Sequence, residues 1–243
     1  LVMPDKQIKD SVLKGLNCLQ ELLNGMLRIS MRFAPVGIFC SMAGLIGEHG
    51  SKILGSIAGF LGTMVFGIIL QIILVYCLGI LLIARKNPLT FLKRMLSSMM
   101  IALTTSSSLL VVPSNLEVCH KYNVDEEISN FTIPLGAVFN LDGAAVFFPC
   151  VILFAAQASG MQFGFGTLLY MAIMGTVIAS SGGGIVGGSL VKCMVLCEMF
   201  SVPSAVITLI TSVYFVLDAL ITVCNATGDV AGTLMIGGIE QRR

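Results

Sequence analysis

Three aspartates, Asp142, Asp218 and Asp229, stand in stretches of sequence that carry no other charge. A carboxylate inside an apolar helix costs roughly 2.5–3.5 kcal/mol on membrane-insertion scales, so three of them point to work beyond packing. At about 100° per residue, Asp218, Thr222, Asn225 and Asp229 fall at offsets of 0, 4, 7 and 11 on a helix, which is one face. Four oxygen-bearing side chains aimed one way are what a hard cation or an ammonium group requires. The plain alternative is a polar seam sealed by hydrogen bonds between helices, and the two carboxylates in the stripe favour a binding role over it. A different chemistry, an intramembrane aspartyl protease, would need two aspartates sharing a proton. Asp218 and Asp229 are 11 residues apart, about 16 Å of helical rise, so only Asp142 could partner either. A purely structural membrane subunit is a third reading, and it leaves the helix breaks described below without a purpose.

The elements that must hold these residues are membrane helices. The chain of 243 residues is 56% hydrophobic and 11% charged, with mean hydropathy +0.96. Soluble domains carry about 25% charged residues. A net charge of +1 excludes the basic footprint of a nucleic-acid binder. Ile53–Ala84 and Gly143–Val191 contain no charge, and a spanning helix needs about 20 apolar residues. Residues 1–14 read as a polar lead-in, Gly15–Gly47 as an amphipathic, tilted span kinked near Pro35, and Ile53–Ala84 as an ordinary span. The start Leu1-Val2-Met3-Pro4 carries no initiator-type Met and does not read as a signal peptide, and further residues are expected upstream.

Two segments read as helices that dip in and return. Met95–Leu116 carries Thr104-Thr105-Ser106-Ser107-Ser108 at its middle, five hydroxyl residues that compete for backbone hydrogen bonds. The second, within Phe163–Val202, is interrupted by Gly182, Gly183, Gly184, Gly187 and Gly188. With both re-entrant, Lys6, Lys9, Lys14, Arg85, Lys86, Lys93, Arg94, Lys121, Arg242 and Arg243 fall on one side, the cytoplasmic one, leaving Lys52 and Lys192 outside. Each interrupted pair is followed by a helix with an Asn and an Asp: Asn140 and Asp142, then Asn225 and Asp229. Paired broken helices at corresponding positions are the sequence pointer to a transporter's midplane site.

Other motifs are set aside. Gly182-Gly183-Gly184-Ile185-Val186-Gly187 satisfies G-x-G-x-x-G but has no preceding strand and no acidic residue about 20 positions on. Asn130-Phe131-Thr132 and Asn225-Ala226-Thr227 read as glycosylation sequons but lie in expected spans. The eight cysteines form no C-x-x-C pair and read as packing residues. His49 and His120 sit in expected loops.

The sequence resembles the dicarboxylate/amino acid:cation symporters. The resemblance rests on the serine tip Thr105–Ser108 followed by Pro113, on Pro134-Leu135-Gly136-Ala137 with Asn140-Leu141-Asp142-Gly143, on the glycine-rich hairpin, and on Asp218 with Asn225-Ala226-Thr227-Gly228-Asp229. It runs from about Gly15 to Gly238 and matches only the later part of such proteins. It implies an all-α membrane protein: a transport core with two re-entrant helical hairpins and an inverted repeat. In those terms residues 1–94 are two spans with a polar lead-in, and 95–243 are the core, comprising hairpin 95–116, helix 128–157, hairpin 166–202 and helix 203–239. By the same resemblance, Gly136, Asn140, Asp142, Asn225 and Asp229, with Ser180, Ser181 and Gly183 of the second tip, would supply oxygens to sodium. Asp218 would hold a substrate amino group, Thr222 and Asn225 its backbone, and Ser106, Ser107, Ser108, Val186 and Gly188 would line the substrate as hairpin gates, Ser107 near its carboxylate.

Departures from the family pattern set the substrate expectation. The arginine that would bind an acidic side chain is Ile221, the threonine after Asn140-Leu141-Asp142-Gly143 is Ala144, and the methionine within that motif is Leu141. Thr105 replaces an arginine before the serines, and Ile185, Gly187 and Leu190 also differ. The resulting expectation is sodium-coupled symport of a neutral amino acid by an elevator movement, not an enzyme. A proton-coupled or acidic-substrate symporter is the alternative. The full-length protein is expected as a homotrimer in a plasma or bacterial inner membrane, with the C-terminus cytoplasmic.

Overall fold

The uncharged, β-branched and leucine-rich run after Lys52 has no turn residue strong enough to stop a helix, and it forms one long rod. In the computed structural model, which describes residues 52–182, 188–203 and 205–242 together with a scattered subset of 11–47, this rod has three parts. They are α1 (Lys52–Leu70), a π-helical segment (Gln71–Cys77) and α2 (Leu78–Leu82). Most of its large side chains, Phe66, Leu74 and Leu82 among them, are exposed, as a lipid-facing helix requires. The described residues between 11 and 47 are helical; the tilted span expected there lies mostly outside the described residues.

Asn87 caps the next helix by accepting hydrogen bonds from the Leu89 and Thr90 amides, with Pro88 at the first helical position. This helix, α3 (Pro88–Thr105), stops at Ser106 in the left-handed region (φ 49°, ψ 31°) and extended Ser107, and α4 (Ser108–Lys121) follows at once. The five-hydroxyl run thus breaks the chain at its centre, while Thr104 and Thr105 remain helical and donate to carbonyls a turn back. Both arms are longer than the 95–116 expected. They are cross-linked by the hydroxyls of Ser98 and Ser114, 2.8 Å apart.

Asp125 caps α5 (Glu126–Phe139) through the Glu127 amide, and α6 (Asp142–Ala158) follows. The span expected over 128–157 falls on these two, with an interruption at Asn140–Leu141. Asn140 (φ −89°, ψ 74°) and Leu141 (φ −101°, ψ 57°) leave helical geometry between them, where the Asn140 side chain bonds to Asp229 and the Gly143 amide to Asn225 of the last helix. The second hairpin comprises α7 (Phe165–Ala179) and α8 (Gly188–Met199).

Helix α9 (Ala205–Glu240) is 36 residues long, about 54 Å at 1.5 Å per residue. It packs against α1 through α6 and α8, and its stretch from Leu217 to Leu234 is mostly buried. Every element named is helical, and Gly55–Leu82, Glu126–Ala158 and Val213–Glu240 are long and apolar enough to cross a membrane. Asp218, Thr222, Asn225 and Asp229 lie on α9, and Asn140 and the Gly143 amide bond to it.

Candidate functional site

The stripe on α9 is buried throughout: Asp218, Thr222, Asn225 and Asp229 are each at most 5% exposed. A buried carboxylate must find partners, and each stripe residue finds its own. Asp218 Oδ1 accepts from the Tyr214 hydroxyl at 2.8 Å, one turn back. Thr222 Oγ1 donates to the Asp218 carbonyl at 2.7 Å. Asn225 Oδ1 accepts from the Gly143 amide at 2.7 Å, satisfying an otherwise orphan N–H in the first turn of α6. Asp229 Oδ1 accepts from Asn140 Nδ2 at 3.1 Å.

The break in α5–α6 brings Asn140 and Asp142 to the Asp229 end of α9. Two glycines make the approach possible. A Cβ on Gly136 would lie 2.6 Å from Asp229 Oδ1, and one on Gly228 would lie 2.8 Å from Asp142 Oδ2 and 3.0 Å from Asn140 Nδ2. Of the residues singled out as oxygen donors, Gly136, Asn140, Asp142, Asn225 and Asp229 thus lie around this break, and Ser180, Ser181 and Gly183 belong to the second tip. A cavity of about 350 Å³ adjoins them, lined in part by Gly136, Asn140, Asp229, Thr132 and Thr233.

Ile221 is buried beside Asp218, with its backbone oxygen where a Cβ on Gly143 would be, at 2.5 Å; Ala144 is buried as well. In the first tip Ser106 and Ser108 are buried, while the Ser107 amide faces Thr105 Oγ1 at 3.4 Å. That hairpin packs on α9 through Ala102 and Val111 against Ala226. In the second tip, Ser180 and Ser181 turn their hydroxyls back to the carbonyls of Thr176 and Ile178, and Gly188 opens α8. Gly183 and Val186 lie outside the described residues.

Two residues of the centre were not expected from the sequence. Tyr76, on the π-helical segment and 2% exposed, donates to Asp142 Oδ2 at 2.8 Å and sits 3.5 Å from Cys224 Sγ. Asn115 on α4 is 1% exposed and donates to the Ala226 carbonyl at 3.0 Å, tying the first hairpin to the stripe. A lone tyrosine in a lipid-facing span and a lone asparagine in an apolar arm were the available signals.

The donor set is chemically uniform: aspartate carboxylates, asparagine amides and the carbonyls freed by a broken helix. Among the described residues no three His, Cys, Asp or Glu side chains converge. Hard oxygens without imidazole or thiolate fit a hard cation and not a transition metal.

Apolar membrane-length helices, broken where carboxylates and amides meet a central rod, define a polytopic membrane protein with a buried, oxygen-rich centre. Residues 1–239 match the sodium:dicarboxylate symporter family, and the chain belongs to it. It is similar to excitatory amino acid transporter 1 of Homo sapiens, 32% identical over 217 residues, 88% of this chain and 40% of the relative. The same transporter of Ambystoma tigrinum is 32% identical over 219 residues, again 88% and 40%. Excitatory amino acid transporter 5 of Homo sapiens is 31% identical over 215 residues, 87% and 38%. The chain thus spans about two fifths of the length of the curated relatives it matches, 38–40%. Family and relatives are transporters and not enzymes, which removes the protease reading.

Proposed function

We propose that the protein carrying this chain is a secondary active transporter that couples sodium entry to uptake of a neutral amino acid. One observation carries the cation half of the reading: the unwound Asn140–Leu141 step delivers an amide and a carboxylate to Asp229 across Gly136 and Gly228, glycines whose missing side chains leave the room. A sodium ion there would draw on Asp229, Asn140, Asp142 and backbone carbonyls, with Ser180, Ser181 and Gly183 forming a further carbonyl group at the second tip. Asp218 would receive the substrate's ammonium, with Thr222 and Asn225 beside its backbone. Ile221 and Ala144, both buried, would face its side chain with an apolar surface and offer no charge to a second carboxylate.

The paired breaks at Ser106–Ser107 and after Ala179 are taken as tips of re-entrant hairpins gating an elevator movement, with residues 95–243 as the moving core and 1–94 as the connecting spans. A homotrimer in the plasma or bacterial inner membrane, with its C-terminus cytoplasmic, completes the reading. The description of the family, sodium:dicarboxylate symporter, favours a second one, in which the substrate is acidic. A proton could replace sodium in either. Uptake by the full-length protein in proteoliposomes, with and without a sodium gradient and across the twenty amino acids, tests all of these. Sodium-driven accumulation of alanine, serine or leucine in preference to aspartate is the expected result. Preference for aspartate overturns the neutral-substrate reading, and indifference to sodium overturns the coupling.

A further inference from the structure

Lys192 is the first charge after the uncharged run Gly143–Val191, and it lies in the second arm of a hairpin whose first arm has none. The arrangement around it accounts for several carbonyls at the end of α7. The last four carbonyls of a helix have no partner within the helix, and that end carries about half a negative charge. Here the Ser180 amide and hydroxyl bond the Thr176 carbonyl at 3.0 Å each. The Ser181 amide and hydroxyl bond that of Ile178 at 3.3 and 2.8 Å. The two nearest the tip, Ala179 and Gly182, receive the Lys192 ammonium at 3.2 and 2.6 Å. Among the described residues no carboxylate lies within ion-pair distance of Lys192, so carbonyl dipoles answer its charge. Carbonyl oxygens gathered around a point charge are also how proteins hold alkali cations, and an ammonium is a compact charge of the same valence.

We propose that Lys192 is a tethered cation of the second hairpin: its ammonium holds the Ala179 and Gly182 carbonyls that a free alkali ion would otherwise hold, joining α7 to α8 at the tip with one soluble ion fewer. The inference rests on the reading of the protein as a cation-coupled symporter. With the ammonium covalently supplied, the Ala179 and Gly182 carbonyls do not draw on external sodium. Removing it leaves two carbonyls that recruit sodium at a concentration cost, and binding to the folded state then appears as ligand-linked stability.

The test uses the full-length protein, purified, with K192M, K192Q and K192R compared in choline chloride and in increasing sodium chloride at constant ionic strength. K192M and K192Q should melt lower than the native protein in choline and regain the difference in sodium, with a sodium-induced rise larger than the native one; K192R should follow the native curve. In proteoliposomes K192Q should show a steeper sodium dependence and a half-saturating sodium at least roughly threefold higher. A melting loss that is equal at every sodium concentration, or an unchanged sodium curve, overturns the proposal and makes Lys192 a packing residue. Should K192M not fold, K192Q, which retains one donor, carries the comparison. If the native protein shows no sodium-dependent uptake, the symport reading fails, and the melting curves still decide the role of the lysine.

Discussion

At the residue scale, the centre depends on how closely a carboxylate may approach a helix backbone. A Cβ on Gly136 would lie 2.6 Å from Asp229 Oδ1 and 3.0 Å from its Cγ, so the carboxylate itself would have to move. Gly136→Ala should therefore push Asp229 away from Asn140 and weaken sodium activation of uptake roughly tenfold, the equivalent of about 1.4 kcal/mol. Asp229→Asn and Asp142→Asn should each weaken sodium dependence too, since a divided oxygen set loses a full negative charge with little change in volume. The sodium concentration for half-maximal uptake reads all three, and unchanged values in the aspartate variants would make the stripe a packing seam. Much of this was legible in the sequence, because a carboxylate in an apolar helix announces its cost at a single position. The division of labour was not. Spacing put Asp218, Thr222, Asn225 and Asp229 on one face, but the pairing of Asn225 with the Gly143 amide spans 82 residues of sequence, and no local pattern encodes that partner.

At the scale of elements, the informative features are the places where helices stop being regular. Hydroxyl crowding marks the Ser106–Ser107 break in the sequence, since those side chains compete for backbone partners. The break at Asn140–Leu141 carries no such signal: neither residue is a strong helix breaker, and the interruption follows from tertiary hydrogen bonds to α9. The π-helical segment Gln71–Cys77 is equally silent in a run of apolar residues, yet it is where Tyr76 leaves the lipid-facing rod for Asp142. π-Helical turns inside α-helices often mark functional positions. Tyr76→Phe removes the hydroxyl and leaves Asp142 without this donor, a loss of about 1.5–3 kcal/mol for a bond to a charged group. The expected outcome is a lower melting temperature of the purified full-length protein in sodium-free buffer, partly restored by sodium, because a bound cation would answer the same carboxylate. A loss indifferent to sodium would confine Tyr76 to packing. Asn115→Leu should cut the hydrogen bond from the first hairpin to the Ala226 carbonyl and raise hydrogen exchange at residues 102–111 more than elsewhere; uniform exchange would show that the hairpin is held by apolar contact alone.

At the scale of the whole molecule, one rod carries both ends of the proposed chemistry. Asp218 and Asp229 lie 11 residues apart on α9, about 16 Å, and the helix between them is buried and packed on nearly every other element. Ion and substrate sites on a single stiff element can influence each other without a long relay, so Asp229→Asn should lower substrate affinity chiefly at low sodium. Substrate choice should be separable from it. Ile221 is three residues from Asp218 and buried, so a ligand whose ammonium meets Asp218 would direct its side chain at an apolar surface, where a second carboxylate would face several kcal/mol of uncompensated desolvation. Placing a guanidinium there supplies a bidentate partner. Ile221→Arg should therefore shift relative affinity from alanine, serine and leucine toward aspartate and glutamate by at least roughly tenfold, with the sodium requirement retained, while Asp218→Asn should weaken every amino acid alike. Competition uptake in proteoliposomes against one labelled substrate measures both. A native protein that already prefers aspartate, with Ile221→Arg leaving that preference where it was, would mean that the cation meeting an acidic side chain comes from another element and that Ile221 does not face the substrate.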